Sequence, residues 1–139
     1  MRILGLDYGD RRIGVALCDE LGITAQGLTT IHRKNRTKDL EGVAAIVREY
    51  GVEMIVLGYP IMLDGSEGIQ CDKVKSFARQ LGLLLSIPIV FQDETLTTKA
   101  AEEILREANV RKEKRKLVVD KVAASMILQA YLDSRKDNW

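Results

Sequence analysis

One histidine, His32, and two cysteines, Cys18 and Cys71, are all that a chain of 139 residues offers toward zinc or disulfide chemistry. The cysteines stand in apolar or helical contexts without CxxC spacing, so they are expected as reduced thiols, and a disulfide framework or zinc site is excluded. That points to the cytoplasm. No apolar run approaches the ~20 residues of a membrane span. The opening MRILGLDYG soon meets Asp7 and has no cleavage-site pattern, so neither secretion nor membrane insertion is expected. Charge of one sign is also missing: 21 Lys and Arg against 20 Asp and Glu leave a formal net charge of +1. A basic coat is thereby excluded. Basic residues do cluster in HRKNR (32–36) and RKEKRK (111–116), so an anionic partner would be held by patches.

What is present is enough apolar material, 46% of residues, for one compact domain over 1–139 and too short a chain for two. RILGLDYG and RIGVALCD are short apolar segments separated by Gly, Asp and Arg, the pattern of an antiparallel hairpin. ITAQGLTTI predicts a third strand leading into a basic loop, HRKNRTK. Leu40, Val43, Ala44, Val47 and Tyr50 then recur at helical spacing up to Gly51, a fitting helix stop. EMIVLGYP is a continuous apolar run, as in a strand covered on both faces. After the loop MLDGSEG, a helix carrying Val74, Phe77, Ala78 and Leu81 is expected to end near Gly82, followed by a fifth strand, IPIVFQDE. A helix with Ala101, Ile104, Leu105 and Ala108, the basic connection NVRKEKRK, and a last helix with Val119, Val122, Ala123, Met126, Ile127 and Ala130 complete the chain before a frayed tail, DSRKDNW. The order β-β-β-α-β-α-β-α-α predicts an α/β fold with a mixed five-stranded sheet flanked by helices.

Ligand sites of such sheets lie at the carboxyl ends of the parallel strands, and there the acids fall. Asp7 ends the first strand, Asp93 and Glu94 end the fifth, and Asp120 lies near the start of the last helix. If they converge, their repulsion requires protons or cations. All-oxygen donors suit Mg²⁺ or Mn²⁺. Two such ions would activate a water and stabilise a leaving oxygen in phosphodiester hydrolysis. Each acid also has a local alternative: Asp7 bonding its own turn, Asp93 capping the next helix, Asp120 complementing a helix dipole. Asp10, Asp19 and Asp64 are assigned to turns.

LGLDYGDRRIGVA, VLGYPIMLDGSEG, QDETLTT and VDKVAASMIL occur in the order and spacing of the YqgF family, RuvX-like relatives of Holliday junction resolvases also described as pre-16S rRNA nucleases. The chain resembles that family over essentially its whole length. The resemblance implies an RNase H-like fold, with Asp7, Glu94 and Asp120 as metal ligands and catalytic acids, and Asp93 in support. It implies a nuclease acting either at the 5′ end of pre-16S rRNA, with ribosomal particles as further partners, or on branched DNA; the RNA role ranks first. The chain departs from the family pattern at Thr95, where Arg is usual after DE, at Tyr59, where Leu is usual, and at Asp10, where a small hydroxyl residue is usual. Loss of the Arg removes a bidentate phosphate contact.

Arg11 and Arg12 in the first turn, and Arg111, Lys112, Lys114, Arg115 and Lys116 before Asp120, are the candidate nucleic-acid contacts. Solvated surface is the alternative for each. The loop DGSEG could approach a phosphate through its amides or simply connect strand to helix. Trp139 could stack on a base, and His32 receives no catalytic role. Two other classes stay open. The first motif also resembles the phosphate loop of the actin, Hsp70 and sugar-kinase group, which clamps nucleotide between two domains and needs a longer chain. A non-catalytic binding module would keep the fold without the chemistry. The chain is expected as a monomer or a homodimer; a junction resolvase needs two symmetric sites.

Overall fold

Strands β1 (Ile3–Tyr8) and β2 (Arg12–Cys18) pair antiparallel, and the Gly9 amide closes the turn by donating to the Arg12 carbonyl at 2.9 Å. The computed structural model describes residues 1–62, 64–94, 106–107 and 112–136, and the side chains of these except 112–117 and 136. β3 (Ala25–His32) pairs antiparallel with β2 across a register shift between Val15 and Ala16. β4 (Met54–Pro60) runs parallel to β1, and β5 (Ile89–Glu94) parallel to β4. The mixed five-stranded sheet has the order β3-β2-β1-β4-β5.

Three helices connect or cover it among the described residues: α1 (Arg36–Tyr50), α2 (Ile69–Leu84) and α3 (Lys112–Lys136). Several boundaries differ from the sequence reading. Half of the expected basic loop is helix, because the Asn35 side chain caps α1 by accepting from the Lys38 amide at 2.9 Å. Gly51 does end α1, in the left-handed conformation at φ 61°. α2 passes Gly82 and reaches Leu84. Lys112 to Lys116, read as a connection, belong to α3, and so does the first part of the tail; Lys, Glu and Arg are good helix formers, and charge alone does not make a loop. The expected helix with Ala101, Ile104, Leu105 and Ala108 lies outside the described residues, as do Thr95 and Trp139.

Alternation along the strands divides the core in two. Leu4, Leu6 and Tyr8 of β1, with Ile13, Val15, Ile55 and Leu57, pack on Val43 and Val47 of α1 and Val74, Phe77 and Leu81 of α2. Ile3, Ala16, Cys18 and Val56 face the other way, onto Ala124, Ile127, Leu128 and Leu132 of α3. The sheet is thus covered on both faces, which is why β4 reads as an unbroken apolar run. Val119, Ala123 and Ile127 are buried on α3 as expected, whereas Ala130 is exposed. Cys18 and Cys71 are buried free thiols. Among the described residues no helix is long and apolar enough to cross a membrane.

Phe77 anchors the α2 side: it is fully buried and stacks on Tyr8 with ring centroids 4.3 Å apart. Phe77→Ala is expected to cost about 3–5 kcal/mol in a urea unfolding experiment. A loss under about 1 kcal/mol would show that α2 contributes little to the core.

Candidate active site

Asp7 shares the parity of Ile3 and Gly5, so its side chain rises from the α3 face of the sheet. Its cross-strand partner on β2 is Gly14. A Cβ built on Gly14 would collide with the backbone carbonyl of Asp120. The missing side chain is therefore what lets α3 lie directly on the sheet there, and it brings Asp120 beside Asp7. On the other flank, β4 pairs with β1 up to Leu6 and Leu57, and Gly58 follows. A Cβ at Gly58 would lie 2.6 Å from the Glu94 Oε2 atom and 2.6 Å from Ile127 Cδ1. Glu94 of β5 thus leans over β4 toward Asp7, with no side chain in the way. Two strand glycines, one on each neighbour of β1, make room for two further acids around the first.

The electrostatics follow from that crowding. Asp7 is pushed up to about 8, first by burial and then by the negative charges of Glu94 and Asp120. Burial holds Glu94 up at about 7. Near neutral pH the pair holds on to protons unless a cation replaces them. Asp120 is balanced differently, since Arg12 Nε donates to its Oδ2 atom at 2.6 Å. Arg12 is therefore engaged with an acid and not free for phosphate.

Buried carboxylates that repel one another are the donor set of a hard cation, and in this respect the residues fit Mg²⁺ or Mn²⁺. As the side chains stand, no group of three His, Cys, Asp or Glu among the described residues is close enough to hold one ion. Asp120 gives an oxygen to Arg12 instead. A shared ion would have to win Asp120 from that guanidinium.

The local alternatives fare unequally. The turn after Asp7 is closed by backbone, from Gly9 to Arg12. Asp120 lies in the third turn of α3, beyond the reach of the helix dipole that its assumed place near a helix start implied. Asp19 does hold a turn, accepting from the Ile23 and Thr24 amides at 2.7 and 3.0 Å. Asp64 does too, through the Ser66 amide and hydroxyl at 2.9 and 2.6 Å. Asp10 sits in the first turn and meets Lys73 of α2 at 3.0 Å.

Asp93 is exposed, and alternation with Glu94 puts it on the other face, so it is not brought into the acid group. Arg11 is exposed in the first turn. Arg111 lies outside the described residues; Lys112, Lys114, Arg115 and Lys116 occupy the start of α3. At Tyr59 the departing residue donates its hydroxyl to Glu67, whose carboxylate also meets Lys75 at 3.4 Å. The hydroxyl thus secures the DGSEG loop. Sequence reasoning missed Gly14 and Gly58, although an isolated glycine in a strand pattern signals close approach of another backbone or group.

A family model described as RuvX, Holliday junction resolvase, matches residues 1–134. A protein of Syntrophus aciditrophicus (strain SB) named "Putative pre-16S rRNA nuclease" is 63% identical over 134 residues, 96% of this chain and 89% of the relative. One of the same name from Moorella thermoacetica is 51% identical over 138 residues, 99% of each chain. Among solved structures, T. thermophilus RuvC in complex with a Holliday junction substrate superposes with a TM-score of 0.57 at 14% identity, covering 98% of this chain and 96% of that one. The fowlpox virus Holliday junction resolvase gives 0.59 at 15% identity, covering 97% and 99%. These likenesses concern the fold, which is the RNase H-like fold of RuvC-type resolvases. With a family match over nearly the whole length and relatives identical at half or more of their positions, the chain belongs to the RuvX Holliday junction resolvase family.

Proposed function

We propose that residues 1–139 form one nuclease domain that hydrolyses phosphodiester bonds with a divalent cation, acting in the cytoplasm on the 5′ end of pre-16S rRNA. The observation that carries the chemistry is the grouping of Asp7, Glu94 and Asp120 about two strand glycines, with Asp7 and Glu94 held near 8 and 7. The RNA substrate rests on the names of the relatives. Asp7, Glu94 and Asp120 would hold Mg²⁺ or Mn²⁺. When bound, the ion activates water and stabilises the leaving oxygen.

The chain's own contributions are distinct. Asp7, on a central strand, would fix the position of the ion. Glu94 approaches from β5, and Asp120 from α3 under the control of Arg12. The basic start of α3, Lys112 to Lys116 with Arg111 before it, precedes Asp120 on the same helix and is assigned to phosphate contacts. The family's description as Holliday junction resolvases favours a second reading, cleavage of branched DNA.

A labelled RNA spanning the 5′ boundary of 16S rRNA and a four-way DNA junction, each incubated with Mn²⁺ or EDTA, separate the readings. The expected result is metal-dependent cutting of the RNA with the junction left whole. Cutting of the junction alone would move the substrate to branched DNA. Tight binding of both without cleavage by the folded protein would leave only a binding module.

A further inference from the structure

The HRKNR stretch, far in sequence from every candidate acid, is folded against the turn that begins two residues after Asp7. The β2–β3 register sets His32 opposite Arg12, and the next amide, that of Arg33, donates to the Arg11 carbonyl at 2.9 Å. The Arg33 side chain then reaches across to the same turn. Its guanidinium donates to the Gly9 and Asp10 carbonyls at 2.9 and 3.2 Å, and to Asp39 Oδ2 at 3.0 Å. It lies 4.5 Å from the centroid of the Tyr8 ring. Asp39, only 1% exposed, accepts from the Lys34 amide at 3.0 Å as well. Arg33 is thus a brace whose charge Asp39 balances. It makes the β1–β2 turn and the β3–α1 loop one rigid piece.

That piece presents cations to solvent. Arg11, Lys34 and Lys38 are all exposed. The ion pairs of this edge among the described residues are Arg12 with Asp120, Arg33 with Asp39 and Lys73 with Asp10. None of them takes up Arg11, Lys34 or Lys38, so the edge carries a net positive charge. It lies at the end of β1 that carries Asp7, since Arg11 precedes the residue that holds Asp120, while the Tyr8 ring on which Arg33 packs belongs to the α1–α2 face.

We propose that this edge, built from the β1–β2 turn and the β3–α1 loop, holds the phosphodiester backbone of the nucleic-acid strand that enters the acid site. The inference rests on the nuclease reading and adds to it a second basic surface, separate from the start of α3. A positive rim beside the site raises the local concentration of the polyanion it acts on. Rigidity matters too: because Arg33 already orders both loops, little further ordering is needed when phosphate binds. Contacts of this type read no sequence and weaken with salt.

The test compares the Arg11→Ala/Lys34→Ala double variant with an Arg48→Ala/Arg79→Ala control. The control removes the same charge from exposed positions on α1 and α2. Binding of the fluorescently labelled 16S-boundary RNA is titrated in EDTA, which prevents cleavage, over a series of salt concentrations. Neither Arg11 nor Lys34 has a side-chain partner among the described residues, so the variant should fold, and a thermal melt checks this. The expected result is a Kd raised roughly ten-fold or more and a salt slope shallower by about two, with the control within about two-fold of wild type. A double variant that binds like the control, while wild type binds and cuts, overturns the surface and leaves the nuclease reading intact. Folded wild-type protein that neither binds nor cuts the RNA or the junction overturns both.

Discussion

Replacing Asp7 by Asn is expected to lower metal-dependent cleavage by roughly three orders of magnitude, about 4 kcal/mol of transition-state stabilisation, while raising the melting temperature of the metal-free protein at pH 8. Both effects have one cause. The carboxylate is buried among Glu94 and Asp120, so its ionised form is unfavourable in the folded chain and favourable only toward a cation. The sign of the pH dependence follows. Asp7 titrates at about 8 in the fold against 3.8 for the ordinary side chain. Between those values the folded state binds the extra proton, so stability falls as pH rises from about 4 through about 8. Glu94, at about 7 against 4.5, works in the same direction.

Asn at position 7 cannot ionise and escapes that loss. A gain of about 2 kcal/mol at pH 8, or roughly 5–10 °C in melting temperature, is expected, shrinking toward zero near pH 4. Added Mn²⁺ should reverse the order, stabilising wild type and leaving the variant unmoved. Thermal melts across pH with and without Mn²⁺ measure all of this without reference to any substrate. Wild-type stability that climbed with pH through this window would show Asp7 to be ionised and paired in the fold.

The second large effect is steric. Gly14→Ala adds one methyl group where the carbonyl of Asp120 already lies, so α3 must lift from the sheet or β2 must bend. A loss of about 3 kcal/mol or more in urea unfolding is expected, together with loss of cleavage, because Asp120 moves with its helix. Gly42→Ala is the contrast. In α1 the added methyl would meet only Ile31 side-chain atoms at 3.6 and 3.9 Å, ordinary contact, and a helix gains about 0.5–1 kcal/mol when Ala replaces Gly. If both changes cost alike, the close seating of α3 on β2 is wrong.

The contrast between these glycines shows what local pattern can convey. The strands and the described helices were legible because side-chain periodicity follows from backbone geometry: Leu4, Leu6 and Tyr8 alternate with Ile3, Gly5 and Asp7 whatever lies above them. Helix starts were less legible. The Asn35 cap and the helical Lys112 to Lys116 are charged or polar segments whose composition suits loop and helix equally.

Among the acids, position along a strand end marked Asp7, Asp93 and Glu94 as candidates, and alternation then separates exposed Asp93 from Glu94 once β5 is seen packed on its neighbours. Asp7 at the end of an apolar run, reduced cysteines, oxygen-only acids and the alternating elements of an α/β sheet were determined by the sequence itself, because each depends on residue type and spacing alone. That Gly14 and Gly58 admit Asp120 and Glu94 to the side of Asp7, that Arg12 is claimed by Asp120, and that Arg33 ties a distant basic loop to the same corner were decided only by tertiary structure. Those contacts join residues on different elements, and only the packing of α3 and the pairing of the strands brings them together.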